Sequence, residues 1–464
     1  MRLKKNDTVK LNIENLTNLG FGVGKCDGAV VFVSDAVTGD EVEAKIIKVT
    51  SSYAVGRVEK YIKRSELRAS GRCSLTQCKS CAYRAVAYDE ELRIKQESVR
   101  AELLKSGMSE IEVLPVIPSP KQSEYRNKAQ YAIGSDGKGG YTVGFFAPKS
   151  HRVTEAACCP LAPKVFSEIL GTLRSFFEEK KISVYDEKSG RGLLRHIYLR
   201  RAEENGEILL TLVINGGEIP YRDELVKRLT EAHGKIVGIQ INKNTRNTNV
   251  ILGDEFVTLW GKDYITDTLS GVKLDITAPS FYQVNHDCAE LLYKKAKELA
   301  KPTKSDTLLD LYCGAGSIGL SMAKHVKELI GIEIVADAVE CAGRNAIRNG
   351  IENARFFTGD AKDTEKLLDI AEGELGRKIT PDIIILDPPR AGCAEELVSF
   401  VSRLNSKRIV YISCNPATLA RDLSRFKEFG YNAESVQPFD MFPLTGHVES
   451  VVCLTRRLDV DMRR

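Results

Sequence analysis

From about residue 8 to 63, short runs rich in β-branched residues alternate with Gly/Asp turns: VKLNIENL, GFGVGKCDG, AVVFVSDAV, TGDEVEAKIIKV and SYAVGRVEKYI. Several short strands at close spacing, with no helical period among them, predict a small closed β-barrel. AVAYDEELRIKQESVRAELLKSG then carries apolar residues at helical spacing and ends on Lys, Ser and Gly, a helix stop. From there to about residue 280, strand-like runs (KAQYAIG, YTVGFFA, LLRHIYLRR, ILLTLVING, IVGIQINKN) surround one clear helix, PKVFSEILGTLRSFFEEKK. That mixture predicts an antiparallel sheet with helices on one side, an α+β layer. After residue 286 apolar strands (TLLDLY, ELIGIEI, ARFFTGD, DIIILDPPR, RIVYISCN) alternate with helices, which predicts a parallel sheet covered on both faces, a doubly wound α/β fold.

The expected divisions are a barrel over 1–64, a central region over 65–285 and an α/β region over 286–464. A chain of 464 residues is too long for one ordinary core, so several domains are expected. With 43% hydrophobic and 28% charged residues the chain reads as soluble and folded, and no apolar run approaches a membrane span. Basic residues near the start have no apolar stretch behind them, so neither a signal peptide nor a transit sequence is expected and the default compartment is the cytoplasm. The net charge of +4 does not by itself select a nucleic-acid partner.

Charge and aromatic residues do concentrate locally, in YRNKAQY and in RGLLRHIYLRR, where Arg191, Arg195, Arg200 and Arg201 accompany His196 and Tyr198. Alternate side chains of a strand share a face. These arginines therefore read either as a phosphate-binding surface or as a solvated charged face.

Twelve cysteines in such a chain argue against a disulfide framework. Cys73, Cys78 and Cys81 read C-x4-C-x2-C, and Cys158 and Cys159 follow at a distance in CCPLAP. Thiolates gathered this way select zinc or an iron–sulfur cluster, with packing alone as the third reading.

The chemistry concentrates after residue 286. LLDLYCGAGSIGL satisfies a G-x-G-x-x-G pattern that fits either a dinucleotide or S-adenosylmethionine, and Glu333, ending the next strand, suits the hydroxyls of a ribose. The Asp-Leu-Tyr-Cys-Gly run at the loop and DPPR (Asp387 to Arg390) favour S-adenosylmethionine. The motif is close to the D/N-P-P-Y of amino methyltransferases, but an arginine replaces the aromatic residue, which argues against amine methylation. In SCNPATLARD, Cys414 follows a buried-strand pattern and precedes a helix-opening Asn and Pro. A cysteine there reads as a nucleophile in the ligand crevice or as a small buried hydrophobe. A carbon target explains the need for a thiol: addition at C6 of uracil makes C5 nucleophilic enough to take a methyl group. A base must then remove the C5 proton; Glu449 is the candidate, with His447 as the weaker one.

SFYQVN, LDLYCGAG, GIEI, ILDPPRAG, SCNPATLARD and MFPLTGHVESV, in this order and spacing, resemble the RNA (uracil-5-)-methyltransferase family. GFGVGKCDGAVVFVSDAVTGDEV resembles the TRAM domain, an OB-like RNA-binding barrel. The first resemblance implies a Rossmann-like catalytic domain in which Cys414 is the nucleophile and Glu449 the base. It further implies that Gln283, Tyr312, Glu333 and Asp387 contact S-adenosylmethionine, with Asp360 near the adenine. TRAM-bearing relatives hold a [4Fe-4S] cluster on a similar cysteine set, which implies Cys73, Cys78, Cys81 and Cys159 as ligands; here the first gap is one residue shorter and Lys-Ser replaces Gly-Gly. The implied substrate is structured RNA, 23S ribosomal rather than transfer RNA, acted on by a monomer without a membrane partner. A non-catalytic RNA-binding or assembly factor is the competing class, and retention of Cys414, Glu449 and DPPR speaks against it. A radical enzyme with a TRAM barrel needs C-x3-C-x2-C, which the chain lacks.

Overall fold

The computed structural model describes residues 3–75, 78, 80–137, 140–148, 150–248 and 250–456. The barrel comprises β1 (Thr8–Asn12), β2 (Asn15–Leu16), β3 (Gly22–Cys26), β4 (Ala29–Ser34), β5 (Glu41–Val49) and β6 (Tyr53–Lys63), bonded in the order β1-β5-β6-β4-β3-β2. The first and last strands of that order are nearly continuous in sequence, so the sheet closes on itself. Along β5 every second side chain points inward, and Val42, Ala44 and Ile46 meet Leu11, Val31 and Val33 in the core.

Next come α1 (Tyr88–Lys105), the short strand β7 (Glu112–Val113), and a seven-stranded sheet. Its members are β8 (Lys128–Ser135), β9 (Tyr141–Phe146), β10 (Val153–Glu155), β11 (Leu194–Arg201), β12 (Ile208–Ile214), β13 (Ile236–Lys243) and β14 (Glu255–Gly261), in the order β10-β9-β8-β11-β12-β13-β14. Phe166, Ile169 and Leu173 of α2 (Lys164–Lys180) and Leu225 of α3 (Arg222–Ala232) pack with Ile197, Leu210 and Leu212 of the sheet. The sheet departs from the antiparallel expectation at one place: β12 and β13 run parallel, because α3 carries the chain back to the same edge as a crossover.

The phosphate-binding expectation fails for two arginines of β11. That strand lies inside the sheet, and Arg195 and Arg200 are 5% and 2% exposed. Arg195 donates to the carbonyls of Asn244 at 2.6 Å and Arg246 at 2.8 Å, and Arg200 donates to the carbonyls of Ala278 and Ser280. Arg195 Nη1 and the Nε and Nη2 of Arg200 are thus turned to loop backbone, while Arg195 Nε is buried without a partner.

After the hairpin of β15 (Tyr264–Leu269) and β16 (Val272–Thr277) comes α4 (His286–Ala300), and then the α/β region. Its elements are β17 (Thr307–Leu311), α5 (Ser317–Ala323), β18 (Glu328–Glu333), α6 (Ala336–Arg348), β19 (Ala354–Thr358), α7 (Thr364–Leu375) and β20 (Ile383–Leu386). They are followed by α8 (Glu395–Arg403), β21 (Arg408–Ser413), α9 (Pro416–Glu428), β22 (Tyr431–Phe439) and β23 (Glu449–Arg456). The strand order is β19-β18-β17-β20-β21-β23-β22-β7. β17 to β21 are parallel, whereas β23 inserts antiparallel between β21 and β22. The edge strand β7 comes from residues expected to lie in the central region, and Val99 and Leu103 of α1 join the same core as Leu423 and Phe426 of α9. From β17 the chain winds outward to β19 and then reverses to β20, so a crevice opens beyond the carboxyl ends of β17 and β20.

Candidate active site

Sheet register places the predicted residues side by side. Leu311 pairs with Ile332 and with Leu386, so Tyr312, Glu333 and Asp387, each at a strand's carboxyl end, are neighbours. Leu386 pairs with Tyr411, which brings Cys414 to the same rim. Ser413 pairs with Ser450 across the antiparallel ladder, and the next step of that register sets Cys414 opposite Glu449. The thiol and the carboxyl therefore approach from opposed chain directions.

At the first turn Tyr312 adopts φ 63°, a left-handed conformation that a side chain tolerates poorly, and Gly314 and Gly316 follow at φ 54° and 81°. The Gly314 amide donates to Glu333 Oε2 at 3.1 Å, and Val335 donates to Oε1 at 2.9 Å. Glu333, Gly314 and Phe281 line one cleft of about 440 Å³. Loop glycines open to close approach, beside a carboxylate that accepts hydroxyl protons, fit an adenosine-bearing cofactor. Gln283 lies just before α4, 8% exposed, its carbonyl accepting from Asn127 Nδ2 at 2.8 Å.

Burial governs the acids. Asp310, at the heart of β17, is raised to about 8; Oδ2 accepts from Gly319 at 2.9 Å while Oδ1 has no partner. Asp387 is only partly buried, yet the packing around it raises its carboxyl to about 7. Glu449 is raised to about 8 by burial and by Asp387, against the opposing pull of Arg390. The Cys414 thiol is half-buried and raised to about 11 by burial, then by Glu449 and Asp387. Thiol and carboxyl are both mostly protonated at neutral pH, the reverse of a pre-formed thiolate.

The DPPR arginine organises the rim. Arg390 Nη2 donates to His447 Nδ1 at 2.7 Å, and partial burial together with Arg390 lowers the His447 pKa. That ring is occupied as an acceptor. The Arg390 carbonyl accepts from Asn415 Nδ2 at 3.0 Å, and Asn415 also caps α9 by accepting from Ala417 at 3.2 Å, with Pro416 opening the helix. Asp360 lies just beyond β19, on the same side of the sheet.

Family and structural likeness now bear on this geometry. The model of tRNA (uracil-5-)-methyltransferases matches residues 87–457, and that of the TRAM domain residues 2–58. The chain belongs to the tRNA (uracil-5-)-methyltransferase family. It is an S-adenosylmethionine-dependent RNA methyltransferase with an N-terminal TRAM barrel and a Rossmann-like catalytic fold. An uncharacterized RNA methyltransferase of Halalkalibacterium halodurans is 40% identical, over 97% of this chain and 98% of that protein. One from Clostridium tetani is 38% identical, over 98% and 97%. The crystal structure of Pyrococcus abyssi tRNA (uracil-54, C5)-methyltransferase in complex with S-adenosyl-L-homocysteine superposes with a TM-score of 0.77 at 29% identity, covering 96% of this chain and all of that one.

The cysteines also converge. Cys73, Cys78, Cys81 and Cys159 line one cavity of about 300 Å³ with Arg126, Lys128 and Thr445. The Cys81 thiol is raised to about 12, first by burial and then by the other three. Among the described residues, no group of three or more His, Cys, Asp or Glu side chains is arranged to hold a metal ion. No helix among them is long and apolar enough to cross a membrane. Two participants escape the sequence reading: Asp310, whose signal is a lone acid inside the apolar run LLDL, and Asn415, which reads only as a cap.

Proposed function

We propose that this protein methylates C5 of a uridine in structured RNA, with 23S ribosomal RNA as substrate, Cys414 as nucleophile and Glu449 as base. The observation that carries the reading is the ladder in which Ser413 meets Ser450 and thereby sets thiol against carboxyl. Gln283, Tyr312, Glu333 and Asp387 hold S-adenosylmethionine, which supplies an electrophilic methyl group and a positive charge when bound. Cys414, only partly buried, gives its proton to solvent and the thiolate bonds to C6 of a uracil turned out of its stack, the C5–C6 π electrons moving to leave C5 nucleophilic as an enolate carbon. Once C5 is methylated, Glu449 takes the C5 proton, the C5–C6 double bond re-forms and the C6–S bond breaks. Buried where it can exchange that proton near neutral pH, Glu449 suits the task better than His447, whose Nδ1 is engaged by Arg390.

A second reading, a transfer RNA substrate, is favoured by the Pyrococcus abyssi likeness, which extends over 96% of the chain and so does not stop at the barrel. Mapping 5-methyluridine in ribosomal and transfer RNA from cells with and without this protein decides between them. Loss of the mark from 23S RNA supports the first reading, and loss from tRNA alone overturns it. We further infer that the four-thiol cavity holds a [4Fe-4S] cluster, with zinc or no metal as the alternatives. Four soft donors in one pocket beside Arg126 and Lys128 suit an anionic thiolate cluster, in a structural role.

A further inference from the structure

One group of buried charges lies outside the chemistry above. The Lys95 side chain, on α1, is fully buried, with Nζ 2.9 Å from Glu91 Oε1, 2.5 Å from Asp440 Oδ1 and 3.2 Å from the Phe442 carbonyl. Tyr88 donates to Asp440 Oδ2 at 2.8 Å, and Arg72 donates to Glu91 Oε2 at 2.8 Å, so two cations balance two carboxylates. Asp440, Phe442 and Leu444 belong to the segment between β22 and β23 that leads directly into Glu449.

The lock also seizes the segment's backbone. Leu444 has φ 70°, left-handed and unfavourable for a leucine. Its amide donates to Glu91 Oε1 at 2.7 Å and its carbonyl accepts from the Tyr83 amide at 2.9 Å. At the far end, His447 accepts from Arg390, whose carbonyl is held by Asn415 beside Cys414. Buried ion pairs are poor stabilisers, because desolvation offsets their attraction, and their best-attested use is to select one arrangement.

We propose that Lys95, clamped between Glu91 and Asp440, is a positioning residue for proton removal, holding Asp440–His447 in the conformation that sets Glu449 against Cys414. This rests on the reading of Glu449 as base. Its signature is a separation of steps. With the base displaced, Cys414 still adds and C5 still takes a methyl group, but elimination stalls and a denaturant-resistant protein–RNA adduct builds up.

The test incubates full-length wild type, Lys95→Met, Asp440→Asn and Glu449→Gln with S-adenosylmethionine and total RNA from cells lacking this protein. Turnover is followed by methyl incorporation, adduct by denaturing gel, and folding by melting temperature. The expected result for Lys95→Met and Asp440→Asn is a turnover lowered by about 10- to 100-fold, the scale of a misplaced reacting group, with KM little changed and adduct accumulating as in Glu449→Gln. Asp440→Asn keeps one oxygen acceptor, for Tyr88 or for Lys95 but not for both, and carries the test if Lys95→Met does not fold. Wild-type turnover in the folded variants, or slow turnover without adduct while Glu449→Gln accumulates it, overturns the proposal. Failure of both variants to fold makes the lock a stability element and also overturns it. If Glu449→Gln itself gives no adduct, the base assignment is what has failed.

Discussion

At the scale of single residues, Asp310, Asp387 and Glu449 are ordinary acids made extraordinary by burial, with pKa values raised to about 8, 7 and 8. They are neutral below those values and ionise as pH rises through them, so a cation in the cleft gains attraction towards alkaline pH. Affinity for S-adenosylmethionine should therefore rise between pH 6 and 9, by up to about tenfold per pH unit for each proton released, whereas uncharged-sulfur S-adenosylhomocysteine should show a flatter profile. Calorimetric titration of both ligands across that range checks this; parallel profiles would show that the carboxyls do not feel the sulfonium. Replacing Cys414 with Ala should abolish methyl transfer while leaving the Kd for S-adenosylhomocysteine unchanged, and residual transfer above about 1% of wild type would sink the nucleophile assignment. The place of Cys414 just past a strand's carboxyl end was legible in the apolar run RIVYI before it. Asp310 was not, since nothing in LLDL says that one oxygen will be buried without a partner.

Elements matter through register. A one-residue slip of β23 against β21 would turn Glu449 to the other face of the sheet, so the place of its carboxyl depends on Val451 packing into one core and Val452 and Leu454 into the other as much as on its own side chain. Asn415 joins two elements, capping α9 and holding the Arg390 carbonyl. Asn415→Ala should lower stability by about 1 kcal/mol and reduce turnover more than cofactor affinity; denaturant unfolding with steady-state kinetics measures both. Equal losses in kcat and cofactor binding would instead show a general loosening of the cleft. Alternation of strands and helices after residue 286 was readable because buried parallel strands are almost wholly apolar. The parallel β12–β13 pair was not, because α3 is a weakly apolar helix whose role as a crossover lies in topology rather than composition. The burial of Arg195 and Arg200 was equally hidden, since an arginine's partners there are carbonyls of distant loops.

On the scale of the whole molecule, three regions meet at the segment before Glu449. Gly446 lies so close to the barrel that a Cβ there would stand 1.7 Å from the Asn18 carbonyl, Thr445 lines the four-thiol cavity, and Asp440 reaches α1. The barrel is therefore seated on the catalytic region. Cys159→Ser should lower bound iron together with melting temperature, as loss of one thiolate from a four-thiol site unpins the central sheet from the segment carrying Cys73; unchanged metal content would remove Cys159 from the ligand set. The edge strand β7 and helix α1 have a further consequence, in the order of synthesis. Both are made before their partners β22 and α9, which follow only after the central sheet and the parallel strands. Until α9 is made, Val99 and Leu103 lack the side chains of Leu423 and Phe426 that cover them. The catalytic sheet therefore gains its β7 edge only once β22 has been made, so its completion waits on a contact between distant parts of the chain.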